Sequence, residues 1–538
     1  MNIKRISYLT SKLRLKIWHK KSLIIACAIV LVSGLAISSN LVGRSYTSDD
    51  VAHQAIAYNF TQSGKHTFGE SNESFILKLP IYFIFNTLTN PGRAQLLWES
   101  LLFNAVMVCL LVIWWRKSIT KPSNWLVFTW LMADGLYWML QTVNPNTRNL
   151  EIGLMLLFSW YVINKIISPP SDKRAVLLCV AGSGLVAGVL IYNDPYFLFY
   201  VLLPLFVAVF IYCIWRKTIY PALAAGCTLL IGLVVNTSLG EILKHLGLSA
   251  GGSNLANLVA TTTVPGDLLR KTIQVLNSYL SLMGASQPGM WSSFRILLET
   301  ALNFGVVCLA IFGLYSLIKK RKFSLLNIWM LVTIVISMGY AILSGLSVFY
   351  TVRYLIILVP LTALLVVYAL QHLSSRSRKY YRLALIFIGL SLSINIIQSV
   401  ITINQKRYLQ PNLLDYKIVA SLEKNDVAKS YGNDWVANIS YYLSDYKSNV
   451  LPTVCFQGNV YPDLTLVEVQ RFSLYSTKTG IIVSPKLVIP TRSPFPPSPS
   501  CTVWATIKQF GAPQKIVLVT PSVSLLIYSH NPWGKSGL

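Results

Sequence analysis

The chain has 538 residues, of which 54% are hydrophobic and 12% charged, against about 45–50% and about 25% in soluble domains. That balance excludes an ordinary soluble enzyme and identifies a membrane protein. Its 46 Lys and Arg against 19 Asp and Glu give a formal charge of +27, which raises nucleic acid or anionic lipid as a partner until the positions of the charges are considered.

Apolar runs of roughly 20 residues, the length that crosses a bilayer, fall near 22–41, 95–115, 124–143, 150–167, 175–192, 195–215, 221–239, 296–318, 325–345, 354–372 and 383–403. The basic residues alternate with them. One set of short segments holds Lys4, Arg5, Lys12, Arg14, Lys16, Lys20 and Lys21, then Arg116, Lys117 and Lys121, then Lys165, Lys173 and Arg174. Arg216 and Lys217, Lys319 to Lys322, and Arg376, Arg378, Lys379 and Arg382 continue it. By the positive-inside rule these segments face the cytoplasm. The N-terminus is therefore expected inside and the tail after residue 403 outside a cell (plasma or inner) membrane, and nucleic acid is set aside as a partner.

The first run follows basic residues, as a signal peptide would. It is longer than the 7–15 residues of a typical apolar signal core, and "SSNLVGRSY" lacks a small-residue cleavage pattern, so it reads as an uncleaved helix. Cys27, Cys109, Cys179, Cys213, Cys227 and Cys308 fall within apolar runs, where a thiol behaves as a small hydrophobe. Cys455 and Cys501 are alone in the exterior tail, which predicts a disulfide between them in an oxidising compartment.

Residues 1–403 thus form a transmembrane domain of about eleven helices, with long exterior loops at 42–94 and 240–295 where function is expected to sit. In the second loop Leu268, Leu269, Ile273, Leu276, Tyr279 and Leu280 recur at helical spacing. They predict a helix lying on the bilayer surface or packed over the bundle. Residues 404–538 read as a small extracytoplasmic α/β domain: two helical stretches around a turn within 412–446, then strands at "KIVLVT" and "VSLLIYS". The proline-dense "VIPTRSPFPPSPSC" is loop. The sequons at Asn59, Asn72, Asn236 and Asn438 are short enough to arise by chance, and no internal repeat is found.

The first exterior loop opens with "SYTSDDVAHQAIAYNFTQSG" (45–64). Two adjacent carboxylates, Asp49 and Asp50, stand beside a membrane-length run in a chain poor in acids. One reading is a helix start: Thr47 or Ser48 caps, the acids suit the helix dipole, and Ala52, Ala55, Ile56 and Phe60 form an apolar stripe. The other is a site in which two repelling carboxylates near low dielectric are matched by a cation or a substrate donor. The two are compatible.

A first transmembrane helix, an exterior loop opening with this acid pair, an amphipathic helix ending at Gly64, and "ILKLPIYF" with Lys78, Pro80 and Tyr82 resemble the GT-C superfamily of integral membrane glycosyltransferases. The branch holding aminoarabinose transferases and protein O-mannosyltransferases is the most similar. Asp50 stands where those relatives frequently have Glu, His53 where they often have an aromatic residue, and Leu79 interrupts their Lys-Pro-Pro. The resemblance implies transfer of a sugar from a polyprenyl-phosphate donor to an acceptor outside the cytoplasm, with membrane lipid as the medium.

Displacement at an anomeric carbon needs a base for the acceptor hydroxyl and positive charge for the departing phosphate. Asp49 is the candidate base. Asp50 orients the acceptor or helps hold a divalent metal ion. Lys78, with Arg148 and Arg353, is placed to meet the phosphate, although Lys78 also suits a snorkelling role at the headgroups. Tyr82 and His53 join the candidate substrate-binding set from the same loop. Arg148 and Glu151 lie three apart on a helix and form either part of a site or a mutual ion pair. Asp194, in "YNDPYF", is a second acid for the exterior mouth or an ordinary N-cap. No His/Cys cluster, phosphate-cradling Gly loop or nucleophile elbow is present, which disfavours a zinc enzyme, an ATPase or a serine hydrolase. The competing readings are a transporter or flippase of lipid-linked glycans, for which Asp134 and Glu299 are the intramembrane acids, and a non-catalytic polyprenyl-lipid-binding relative.

Overall fold

The structure is a computed structural model. It describes residues 77–118, 124–133, 149–167, 172–245, 248–250, 268–285, 294–319, 324–343, 355–406, 413–427, 429–445, 449–456, 459–462, 478–483 and 502–532, with 28–29, 31–36, 51, 54, 57–58 and 66–68. The helices are α1 (Leu79–Leu88), α2 (Arg93–Ser118), α3 (Asn124–Ala133), α4 (Asn149–Ile167), α5 (Lys173–Asn193), α6 (Leu203–Arg216), α7 (Tyr220–His245), α8 (Leu268–Leu282), α9 (Phe294–Lys319), α10 (Leu325–Leu343), α11 (Leu358–Arg376) and α12 (Arg378–Lys406). A π-helical turn, Leu198–Leu202, runs into α6. Among the described residues eight helices are long and apolar enough to cross a membrane. They coincide with eight of the predicted runs; α4 matches a ninth, α3 covers the first half of 124–143, and residues 28–29 and 31–36 of the first run are helical.

Short connections reverse the chain between successive spans. Arg116 and Lys117, Lys165, Arg174, Arg216, Lys217, Lys319, Arg376, Arg378 and Lys379 therefore gather at one end of the bundle. There α5 starts on Asp172, whose side chain accepts from the Arg174 N–H, and α6 stops at Lys217 in the left-handed conformation (φ 54°).

Water-free surroundings leave helix association to close packing and buried polar contacts. α5 and α7 pack through small residues: a Cβ at Gly184 or Gly188 would press into Ile231 or Val235 at 2.5 Å. Between α3, α9 and α12, Trp130 donates to the Ser391 hydroxyl (2.9 Å), which donates in turn to Asn303. The second-loop helix α8 is present and packs on the bundle. Val275, Ser278 and Leu282 are buried, and the Tyr279 and Thr362 hydroxyls share a 2.6 Å hydrogen bond, while Leu269 and Ile273 are exposed. Strands β1 (His66–Phe68) and β2 (Leu248–Ala250) pair in parallel, tying the two long loops together.

The C-terminal domain contains α13 (Leu413–Lys424), α14 (Asp434–Leu443) and α15 (Val503–Phe510) around six strands: β3 (Lys429–Asn433), β4 (Asn449–Phe456), β5 (Asn459–Pro462), β6 (Thr479–Val483), β7 (Lys515–Thr520) and β8 (Val523–Tyr528). Their order is β5-β4-β3-β6-β8-β7, parallel for β3 with β4 and β6 and antiparallel elsewhere. Two apolar layers follow from the two-residue period of a strand. Tyr431, Ile481 and Leu526 face the side of α15, whereas Ile482, Leu525 and Ile527 pack with Ile418 and Leu422 of α13. The predicted pair of helices is present, but more than a turn separates them. Asn425–Asp426 turns the chain into β3, which sits mid-sheet.

Candidate functional site

The segment "LKLPIY" forms a buried corner. Pro80 lies in the first turn of α1, where its missing N–H costs nothing. The Lys78 carbonyl caps that turn by accepting from the N–H groups of Ile81 (2.9 Å) and Tyr82 (3.1 Å). Four residues apart on one helical face, Lys78 and Tyr82 both turn inward and are 0% exposed. Each meets Phe103 of α2: the Lys78 ammonium lies 5.2 Å from the ring centroid, and the Tyr82 ring packs edge-on at 5.6 Å.

Lys78 does not snorkel. Its Nζ lies 3.5 Å from Oε2 of Glu151, itself 1% exposed near the start of α4. Asn193, the last residue of α5, locks this pair: its side-chain amide donates to Glu151 Oε1 (3.1 Å) and its carbonyl oxygen accepts from the Leu77 N–H (2.9 Å). One asparagine thus joins α4, α5 and the turn before α1. Asp194 follows, fully buried, with Oδ1 accepting from the Tyr196 N–H (3.1 Å). It caps the turn that it begins and is within electrostatic reach of Glu151. Burial, with the carboxylates of Glu99 and Glu151 adding to it, holds the Tyr82 phenol protonated well above the ordinary tyrosine range.

Glu99 of α2 is also fully buried and accepts a short hydrogen bond from the Gln54 side chain. The Gln54 carbonyl accepts from Asn86 (3.1 Å), Asn86 from Gln95 (2.9 Å), and Gln95 from the hydroxyl of Tyr442 in α14 (2.7 Å). Tyr442 and Ile439 pack with Val51 and Leu96. The C-terminal domain is therefore docked on the first turn of α2, at the same end of the bundle as Lys78.

Of the predicted site residues, the structure brings together Lys78, Tyr82 and Asp194 around Glu151. Asp49, Asp50, His53, Arg148 and Arg353 lie outside the described residues, as do Asp134 and Cys501; Cys455 is in β4 opposite Val460. The candidate ion pair of Glu151 with Arg148 falls outside the described residues; within them Glu151 pairs with Lys78. Among the described residues no group of three His, Cys, Asp or Glu side chains is placed to hold a metal ion; Asp50, the residue put forward for one, is not among them. Sequence reasoning missed Glu99, Gln54 and Asn193. Glu99 carried a usable signal, since an acid inside a membrane-length run is rare and points to function by default. Glu299 carries the same signal and is 5% exposed on α9.

No family model matches the sequence, and neither does any curated protein. Solved structures do match. ArnT from Cupriavidus metallidurans bound to undecaprenyl phosphate superposes with a TM-score of 0.58 at 10% identity, over 94% of this chain and 98% of that one. The same protein in the apo state gives 0.55 at 10% identity, over 95% and 98%. With nearly the full length of both chains aligned, this polytopic membrane protein shares its overall fold with that ArnT.

Proposed function

We propose that the chain is a membrane glycosyltransferase that moves a sugar from a polyprenyl-phosphate donor to an acceptor on the extracytoplasmic side. The observation that carries the reading is a lysine buried at the end of the bundle opposite the basic residues, in a fold whose solved neighbour holds undecaprenyl phosphate. The N-terminus is cytoplasmic and the C-terminal domain extracytoplasmic, on the charge pattern.

In the reaction, the acceptor oxygen attacks the anomeric carbon, a new C–O bond forms, and the bond to the phosphate oxygen breaks. The phosphate leaves with the electron pair and one more negative charge. Asp49 takes the acceptor proton. Lys78, already desolvated, meets the growing phosphate charge where the low dielectric strengthens the attraction. Glu151 and Asn193 hold Lys78 in position, and Tyr82 remains a protonated hydroxyl beside it. Asp194, Arg148, Arg353 and His53 complete the substrate-binding set, and Asp50 orients the acceptor.

The purified protein, given a panel of polyprenyl-phosphate sugars, is expected to release the lipid phosphate from at least one when acceptor glycans, lipids or peptides are supplied. Binding of these donors without release from any would overturn the enzymatic reading in favour of a lipid-binding role.

A further inference from the structure

At the basic end of the bundle, far from Lys78, an open groove of about 470 Å³ runs between α9, α11 and α12. Gly305, Leu309 and Phe312 of α9, Leu373 of α11, and Leu383 and Phe387 of α12 form its walls. Its floor is set by Gly305, where any side chain would collide with the Phe387 ring. Only hydrocarbon suits such walls, and Tyr380, 60% exposed, stands at its mouth.

Helical spacing places charge at that mouth. Lys319 follows Phe312 by seven residues, Arg376 follows Leu373 by three, and Lys379 precedes Leu383 by four, so each lies on the groove-lining face of its own helix. All three are exposed. An apolar trough ending in three cations from three helices matches one chemistry: an acyl chain joined to an anionic headgroup.

We propose that this groove is a binding site for an anionic glycerophospholipid of the leaflet facing the basic end, with a chain between α9 and α12 and the phosphate on Lys319, Arg376 and Lys379. Basic pockets between transmembrane helices on the cytoplasmic side bind anionic headgroups in this way. The donor carrier is the wrong occupant. The 26 residues of α9 rise roughly 39 Å at about 1.5 Å each, so a phosphate at Lys319 is a membrane thickness from the Lys78 end. The site stands whether or not the chain transfers sugar.

Native mass spectrometry of the full-length protein, titrated with phosphatidylglycerol and separately with phosphatidylcholine of the same chains, tests it. The tightest-bound lipid should be phosphatidylglycerol. Lys319→Gln, Arg376→Gln and Lys379→Gln together should weaken it about 10-fold or more while leaving phosphatidylcholine unchanged. Leu383→Trp, at a half-exposed wall position that tolerates bulk without unfolding, should weaken both. Arg116→Gln, Lys117→Gln and Lys165→Gln, at the same end on other helices, should weaken neither. Equal binding of the two lipids, equal effects of the two triple variants, or displacement of phosphatidylglycerol by undecaprenyl phosphate would each overturn the proposal.

Discussion

Lys78 and Glu151 form an ion pair at 3.5 Å with no more than 1% of either side chain exposed, between a loop and a helix 73 positions further along the sequence. Removing one partner of a buried pair leaves a desolvated charge and costs about 3–5 kcal/mol, whereas replacing both by apolar groups of similar volume is often neutral. Lys78→Met alone and Glu151→Leu alone should therefore each lower the unfolding temperature in detergent, and the double variant should recover most of the loss. If Lys78 serves the donor phosphate as well, the double variant folds but does not turn over. Full activity in the refolded double variant would leave the pair a purely structural role.

Tyr442 joins the C-terminal domain to the membrane helices, donating to Gln95 Oε1 (2.7 Å) and to the Gly92 carbonyl (3.0 Å). Tyr442→Phe keeps the ring in its apolar cluster and deletes only the hydroxyl. The expected cost is about 0.5–1.5 kcal/mol from the lost hydrogen bonds, and more if Gln95 is left unsatisfied. Hydrogen exchange should quicken in the first turn of α2 and in α14, with the far ends of the bundle unchanged. Unaltered exchange at both places would show that the interface does not depend on that hydroxyl.

Among the described glycines, Gly313 leaves the least room for a side chain: an added Cβ would collide with the Leu365 carbonyl of α11, a backbone group that cannot rotate aside. Gly313→Ala should destabilise by at least about 1–3 kcal/mol, the scale of overpacking. Gly339 of α10 has no atom within 4 Å of the same construction, so Gly339→Ala should be neutral or slightly stabilising by reducing backbone freedom in the unfolded chain. Equal effects at the two glycines would mean that α9 and α11 pack less closely than described.

What the sequence revealed follows the range of its signals. Apolar run length and the placement of Lys and Arg are local properties, so the spans and the common basic end were legible from Arg116 through Arg382. Lys78 and Tyr82 were legible because the motif around Pro80 is compact. The partners were not. The nearness of Glu151 to Arg148 could be read from helical spacing, whereas its contact with Lys78 depends on how α4 packs beside α1. Asn193 joins three elements through one amide, and an asparagine at a helix end looks like any cap. Strand β3 was hidden for a similar reason: "KSYGN" lacks strand alternation and is held by its neighbours β4 and β6.

The basic ends of the spans make the orientation testable without an activity assay. In a cysteine-free background, an impermeant thiol reagent applied to intact cells should label a cysteine placed at Ser253, in the second exterior loop, and miss one at Ser377, between α11 and α12. Labelling in the opposite sense would put Lys78 and the acid pair in the cytoplasm and remove the basis for an extracytoplasmic acceptor.

The acid pair separates the chemical reading from the structural one. Asn caps a helix about as well as Asp, so if Asp49 only starts a helix, Asp49→Asn loses no more than about 1 kcal/mol of dipole interaction and leaves turnover nearly intact. If Asp49 is the base, the same change removes the proton acceptor and turnover falls by about 10²–10⁴-fold. Protein yield and unfolding temperature should stay close to the parent in both cases, so the distinction rests on rate alone. On the proposed roles of the two residues, binding of the donor should persist in Asp49→Asn and weaken in Lys78→Met. Raising the pH should not restore Asp49→Asn, because an amide has no proton to lose, whereas a strongly nucleophilic acceptor should rescue it in part. Undiminished release of lipid phosphate by Asp49→Asn, with the sugar appearing on the acceptor at the parent rate, would exclude the base role and transfer the search to Asp194 and Glu99.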